Sequence, residues 1–275
     1  MKLMDFDGLF DEKLTQYMEE NKNKYSEKQW ENVIPKLYKK FGDTHIAKLG
    51  CTPKEYYQRM TDAELTETLS AHLLEDVPVP EFLINEMEKR DVTDRLLPFL
   101  DGEDFEMMAY VINVIGDDSR AFERYLSILK NEDADEDLKG DVLSVLCDHA
   151  DEVKTRVLEE YPNGIEEEFA LEILCHVTMR DEAVYQILIK AFSDAEDWQL
   201  ALRAGYIAAY GDERALPVLF RKIEDKSIGF VEFQELKYAI EALGGEYDEE
   251  RDFSADKDYL TVEAAKEKTI ELENK

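Results

Sequence analysis

The chain has 275 residues and an extreme charge balance, with 33 basic against 65 acidic residues and a formal net charge of -32. A body this acidic repels phosphate backbones and anionic lipid headgroups, so its composition argues against nucleic acid or a membrane as a direct ligand. Residues 101–200 are the most acidic part, with 27 acidic and 8 basic side chains. A basic protein is therefore the partner that the composition favours.

Glycine and proline are scarce, at 12 and 7 residues, which predicts an all-α chain. No run of about 18 apolar residues is present, so we expect no membrane span. Residues 1–7 lack the basic and apolar regions of a signal peptide, and the 3 cysteines give no even disulfide framework. These features favour a cytoplasmic location.

The first part of the chain, residues 1–76, is predicted to be an irregular helical region without a repeat. Three Ser or Thr residues in it are followed, three positions later, by Gln or Glu, which is the capping-box pattern of a helix start. The pairs are Ser26 with Gln29, Thr52 with Glu55, and Thr61 with Glu64. A Pro-rich break at residues 77–80 then ends this region.

Residues 77–245 are predicted to be a repeat array. A short turn recurs at Gly116, Gly211 and Gly244, and Asp148 and Arg180 hold the equivalent places between them. The steps are 32, 32, 31 and 33 residues. Self-similarity at this period is typical of a solenoid of stacked helix pairs, and about five pairs fit the length.

The last part, residues 246–275, is predicted to be a polar C-terminal cap or tail. Residues 247–258 are expected to form a loop and residues 259–272 a weakly amphipathic helix. A solenoid needs a polar end, which this helix could supply by covering the last repeat.

The turns resemble those of HEAT-like repeats, in particular the short type first noted in phycobiliprotein lyases. The likeness lies in the segment from Gly211 to Leu219 and in the segment from Gly116 to Phe122, and it covers roughly residues 80–245. Glycine suits a left-handed helix end, and the following Asp suits the next N-cap. The resemblance implies an α-solenoid, an armadillo-like superhelix. Such arrays serve as scaffolds, adaptors, lyase-like chaperones and DNA glycosylases, so the fold alone implies no single activity.

One set of residues has metal-ligand chemistry, namely Cys147, His149, Cys175 and His176. Two cysteines and two histidines could surround a zinc ion. However, the cysteines are 28 residues apart in a repeat of about 32, which places them one helical turn out of register. We therefore predict buried core cysteines with solvent-facing histidines, and no metal site.

Other signatures of chemistry are incomplete. The acidic run at residues 133–137 begins like a calcium loop but has Leu138 where glycine is required, so a solvated loop is expected. No nucleophile elbow, phosphate-binding loop or dinucleotide-binding turn is found in the sequence. We therefore predict no catalytic residues and no cofactor. Trp198, at the start of a repeat helix, is expected to pack on the preceding repeat, with a role as an interface anchor as the alternative.

Together these features predict a protein-binding scaffold or adaptor that recognises a basic protein through an acidic solenoid surface. The residues predicted to bind this partner are Asp148, Asp151, Glu152, Asp181 and Glu182. Two alternatives stay open. One is a HEAT-fold enzyme, either glycosylase-like or lyase-like, and the other is an immunity or anti-nuclease protein that mimics DNA with its carboxylates.

Overall fold

The structure is a computed structural model and describes residues 3–22 and 24–273. All its regular elements are helical across this part of the chain, so the predicted all-α class is confirmed. The α-helices are α1 (Phe6–Glu20), α2 (Glu27–Gly42), α3 (Pro53–Gln58), α4 (Asp62–Leu74), α5 (Glu81–Met87), α6 (Thr93–Leu96), α7 (Phe105–Ile115), α8 (Phe122–Leu129), α9 (Glu136–Asp148), α10 (Ala150–Glu160), α11 (Glu167–Cys175), α12 (Glu182–Ser193), α13 (Asp197–Tyr210), α14 (Leu216–Ile223), α15 (Phe230–Ala242) and α16 (Lys257–Glu273). Short 3₁₀ helices lie at Leu97–Asp101, Ser119–Ala121 and Glu213–Ala215.

The three predicted capping boxes start α2, α3 and α4. At α3 the Thr52 hydroxyl accepts the Glu55 backbone N–H at 3.1 Å, and the Glu55 carboxylate accepts the Thr52 N–H at 3.0 Å. The boxes of α3 and α4 thus each satisfy two backbone donors that the helix itself leaves without a partner, and at α2 the Gln29 side chain accepts the Ser26 N–H at 2.9 Å.

The glycine turns also form as predicted. Gly116 and Gly211 have φ angles of 58° and 69°, in the region that a side chain disfavours. Asp118 and Asp212 then accept the backbone N–H groups of Arg120 and Arg214 at 3.0 and 3.1 Å. In both turns the Arg guanidinium also binds the same carboxylate, and at the first turn this lowers the pKa of Asp118 to about 2. Two segments far apart in the sequence thus build the same turn.

The chain divides into two compact units, one up to Val142 and the other from Leu143 onward. In the first unit, α4 packs on α5, α6 and α7, and α3 packs on α5. The core of this unit is formed by large apolar side chains that are fully buried, among them Phe6, Leu65, Leu69, Leu83 and Met87. The sequence predicts a different division, into an irregular helical region at residues 1–76, a repeat array at 77–245 and a polar cap or tail at 246–275. This division stays a prediction.

In the second unit, α13 packs against both α11 and α15, and α12 and α14 pack on these helices. Its core includes Ala204, Leu219, Leu236 and Ile240, none of which is exposed to solvent. Helices α11, α13 and α15 are therefore neighbours in space, although α12 and α14 separate them in the sequence. Helices α12 and α14 lie against these three.

The segment after α15 covers the end of the second unit. Tyr247 is buried, and Arg251 donates to the carbonyl oxygens of Ile223 and Asp225 at 2.5 and 2.8 Å. The Arg251 guanidinium also lies 4.8 Å from the centre of the Phe233 ring. The loop predicted at residues 247–258 therefore supplies buried contacts, and α16 follows it. No helix in the described part of the chain combines the length and apolar character needed to cross a bilayer.

Replacement of Gly211 by Ala tests the turn. The left-handed backbone at this position disfavours a Cβ, so we expect Gly211→Ala to lower the free energy of unfolding by about 1 kcal/mol. Gly140→Ala is the matched control, because Gly140 lies inside α9 with no atom within 4 Å of the added carbon. This control should raise stability by about 0.5–1 kcal/mol, since Ala is the better helix former. Urea unfolding followed by circular dichroism measures both, and equal effects would contradict the turn assignment.

Candidate protein-binding surface

The five carboxylates predicted to bind a partner lie in the second unit, between the end of α9 and the start of α12. Asp148 is exposed and has no ion pair with any residue of the described ranges. Glu152 is also exposed, and its carboxylate lies 2.8 Å from Nδ1 of His149. Both side chains are therefore accessible to a partner.

Asp151 and Asp181 instead hold the turns together. Asp151 accepts the backbone N–H groups of Thr178 and Met179 at 3.2 and 3.3 Å, and it also accepts the Thr178 hydroxyl. Asp181 accepts the Ala183 N–H at 2.9 Å and the Lys154 ammonium at 2.8 Å. These bonds lower the pKa of both carboxyls, chiefly through the Thr178 hydroxyl for Asp151 and through Lys154 for Asp181. Both residues therefore have a structural role.

Glu182 is intermediate between these cases. Its carboxylate binds Arg214 at 2.7 Å and Gln186 at 2.8 Å, yet its side chain is 63% exposed. The Arg214 hydrogen bond lowers the pKa of Glu182. A partner cation could reach Glu182 only in competition with Arg214. The assignment of the five residues to a binding site stays a prediction.

The expectation that Trp198 packs in the core is wrong. Its side chain is 71% exposed, and its indole Nε1–H donates to Glu196 at 2.7 Å. Leu202, one turn further along α13, is 48% exposed. The alternative, an interface anchor, fits an exposed Trp, because exposed aromatic side chains concentrate at binding surfaces.

The reason is that α13 buries a charged residue, Arg203, beside the apolar side chains that it contributes to the core. Arg203 is only 4% exposed, and its guanidinium donates to Glu167, Glu168 and the Ala191 carbonyl at 2.7, 2.9 and 2.7 Å. Burial by itself lowers the pKa of a guanidinium, but the hydrogen bond and charge of Glu168 outweigh this and raise the pKa of Arg203. Because α13 turns Arg203 inward to these glutamates, Trp198 and Leu202 must face outward.

The exposed apolar area continues onto the neighbouring helix. On α15, Val231 is 39% and Tyr238 62% exposed. These two residues follow Trp198 and Gly205 by 33 positions, the same step that separates Gly211 from Gly244. They therefore hold equivalent places on two helices that pack together. We call Trp198, Leu202, Gly205, Val231 and Tyr238 the Trp198 surface.

Carboxylates lie beside this surface. Asp194, Glu196 and Asp197 are exposed where α13 begins, and Glu241 is exposed near the end of α15. The centre of the surface is thus apolar and its edge is acidic. This is the usual plan of a protein interface, in which an apolar centre supplies affinity and a charged rim selects the partner.

The four residues of the cysteine and histidine set differ in burial. Cys147 and Cys175 are buried as predicted, and burial raises the pKa of each thiol to about 12. His176 is exposed as predicted, whereas His149 is only partly exposed and lies against Glu152. No group of three or more His, Cys, Asp or Glu side chains in the described part of the chain could hold a metal ion.

The first unit contains a cleft of about 830 Å³ between α2 and α5. On its floor the rings of Tyr38 and Phe82 stack at 4.7 Å, and the Tyr38 hydroxyl donates to Asp7 at 2.5 Å. Burial raises the pKa of Asp7. Lys39, Lys54, Lys89, Glu81 and Glu86 also line the cleft. Because charges of both signs surround it, the cleft does not select a ligand by charge.

No protein-family model, curated protein or solved structure matches this chain. The function therefore has to be inferred from the geometry of its surfaces, and the resemblance to HEAT-like repeats stays a prediction.

Arg203→Ala tests the inward orientation of α13. Loss of the guanidinium leaves Glu167 and Glu168 without their cation, so we expect a loss of about 3 kcal/mol in unfolding free energy. Arg221→Ala, an exposed position on α14, is the control and should change stability by less than about 0.5 kcal/mol. Urea unfolding measures the difference, and equal losses in the two variants would show that Arg203 does not hold α13 in place.

Thiol labelling tests the burial of Cys147 and Cys175. With a pKa of about 12, only about one thiol in 10,000 is ionised at pH 8, so the native protein should react very slowly with Ellman's reagent. Both thiols should react rapidly once urea unfolds the chain. Mass spectrometry of the labelled peptides separates these two from Cys51. Rapid native labelling of either residue would contradict the structure at this point.

Proposed function

We propose that this chain is a non-catalytic scaffold or adaptor, an α-solenoid of HEAT-like helix pairs that binds a basic protein through an acidic surface. The residues expected to make the contact are Asp148 and Glu152, with Glu182 beside them. Cytoplasmic location is part of the proposal, since Cys51, Cys147 and Cys175 are all free thiols that a reducing compartment would keep reduced.

Hydrogen bonds between segments roughly one helix pair apart support the solenoid. Asp151 binds Thr178 and Lys154 binds Asp181, each 27 residues apart. Glu182 then binds Arg214, 32 residues further on. In the first unit Arg120 binds Asp91, 29 residues earlier. In a solenoid each helix pair contacts the next one along the chain, and contacts over these separations fit that arrangement.

The observation that carries the proposed function is the set of exposed carboxylates in the most acidic third of the chain. Asp148 and Glu152 are exposed in a region with 27 acidic and 8 basic side chains. Such a region attracts a basic protein at long range and speeds its association. The DNA-mimic alternative uses the same surface and differs only in the partner, which would be a nuclease.

The test is an affinity capture from the lysate of the source cell with the immobilised full chain, at about 50 and 300 mM salt. Salt at the higher concentration screens charges beyond a few ångströms, so we expect one basic protein to be retained at low salt and lost at high salt. The double variant Asp148→Asn and Glu152→Gln should weaken binding of that purified protein by about three- to tenfold.

The matched control is Glu12→Gln with Glu19→Gln, which removes the same charge from two exposed positions on α1. It should leave the affinity unchanged. Equal weakening by both double variants would mean that binding follows net charge alone, and the assigned surface would be wrong. An empty capture at both salt concentrations would contradict the proposed function as a whole, and a captured nuclease would favour the DNA-mimic form of it.

A further inference from the structure

The outward side of α13 lacks charge. From Trp198 to the end of the helix, the side chains that are not buried belong to Trp198, Gln199, Ala201, Leu202, Gly205, Ala208 and Ala209. A helix on a protein surface normally turns its charged residues to water and its apolar residues to the core. Here the only charged residue of that stretch, Arg203, is buried. The side of α13 that faces water is therefore mainly apolar, and its contact with water is unfavourable.

Trp198 is held in a fixed orientation for contact. Its indole N–H is bonded to Glu196, so the one polar atom of the side chain is already satisfied. Glu196 in turn belongs to the capping box of α13 with Gln199, whose side chain donates to Glu168 at 3.1 Å. The ring can contact an apolar group without losing a hydrogen bond, and little conformational entropy remains to be lost on binding.

The Trp198 surface extends over two packed helices. Leu202 and Tyr238 are exposed apolar side chains as well, and no atom outside the backbone of α13 itself lies within 4 Å of where a Cβ of Gly205 would be. Gly205 therefore leaves open space on α13 for an apolar side chain of a partner. Tryptophan and tyrosine are enriched at binding hot spots.

We infer that the Trp198 surface is the docking site for an amphipathic, basic helix of a partner protein. The inference rests on the proposed function and adds a second contact with the basic partner, separate from Asp148 and Glu152. Leucine-like side chains of the helix lie on Trp198, Leu202 and Tyr238. Its Lys or Arg residues meet Asp194 and Asp197 at the start of α13, where the exposed carboxylates supply the complementary charge.

A helix fits this surface better than an extended strand. An added strand needs an open sheet edge, and the described part of the chain has no β-sheet that could offer one. A helix instead needs an apolar surface for its own side chains at positions i, i+3, i+4 and i+7, and Trp198, Leu202 and Gly205 lie along the side of α13 that is not buried.

Charge disfavours the other occupants of such a surface. A second copy of the chain would bring together two bodies with a net charge of -32 each. An anionic bilayer would meet the same repulsion. A basic helix gains from both the apolar contact and the charge.

The probe is a fluorescein-labelled Leu/Lys peptide of about 18 residues, long enough for five helical turns, with all Leu on one side. A peptide of the same composition in scrambled order and a Leu/Glu peptide serve as probe controls. Fluorescence anisotropy with the full chain measures affinity. We expect the amphipathic Leu/Lys peptide to bind at least about tenfold more tightly than the scrambled one, because only the former presents an apolar face. The Leu/Glu peptide should not bind.

Trp198→Ala should weaken binding of the amphipathic Leu/Lys peptide by about tenfold or more. Leu202→Lys, which places a positive charge opposite the positively charged peptide, should weaken binding further. Leu74→Ala is the matched control, since Leu74 is 85% exposed on α4 in the first unit and should leave the affinity unchanged. Circular dichroism checks that each variant keeps its helix content. In a Trp30→Phe background Trp198 is the one remaining tryptophan, and its emission under selective tryptophan excitation should move to shorter wavelength when an unlabelled peptide covers it.

The outcomes separate the two levels of the proposal. If peptide binding is sensitive to salt but unchanged by Trp198→Ala, the proposed docking site is wrong, and the proposed acidic scaffold is not contradicted. No binding of any basic peptide at low salt would overturn both. Sedimentation that shows a dimer lost in Trp198→Ala would assign the surface to a second copy. Binding of phosphatidylcholine vesicles without peptide binding would assign it to a membrane.

Discussion

The second unit depends on hydrogen bonds that join the ends of its helices to segments 27 to 31 residues further along the chain. Asp151 accepts the N–H groups of Thr178 and Met179, and Arg180 in turn donates to the carbonyl oxygens of Tyr210 and Gly211. Helix ends leave backbone donors and acceptors without partners, and here other segments of the unit supply them. These bonds therefore fix how the segments that they join are placed within the unit. Carboxylates that make such bonds are satisfied within the chain and have less to offer a partner.

Arg203 makes hydrogen bonds of the same kind inside the core of the second unit. Its guanidinium binds Glu167 and Glu168 on α11 and a carbonyl of α12, so one buried cation joins three helices. A buried cation with several acceptors fixes the rotation of its helix about its axis, because any other rotation would leave charges without partners. The exposure of Trp198 follows from this rotation. A structural constraint inside the unit thereby creates an apolar surface outside it.

Capping boxes and glycine turns were predictable because the residues that form them are close in sequence and the physics is local. Gly211 with Asp212 and Thr61 with Glu64 needed no knowledge of the fold. The orientation of α13 was not predictable in this way, since its apolar residues lie on every side and period alone does not choose the buried one. The signal lay in Glu167 and Glu168, which lie 36 and 35 positions before Arg203 and carry the opposite charge. Pairing these charges would have turned Trp198 outward.

The net charge of the chain offsets a disadvantage of the exposed Trp198 surface. Exposed apolar area on a neutral protein promotes self-association. Two copies with a net charge of -32 each instead repel one another before they touch, over distances that reach nanometres at low salt. Repulsion of this kind acts on every acidic molecule and leaves basic ones attracted. In the proposed interaction, selection by charge operates before contact, and the indole and leucine then supply affinity at contact. Mutual repulsion of the copies would thus keep the apolar surface accessible for the proposed basic partner.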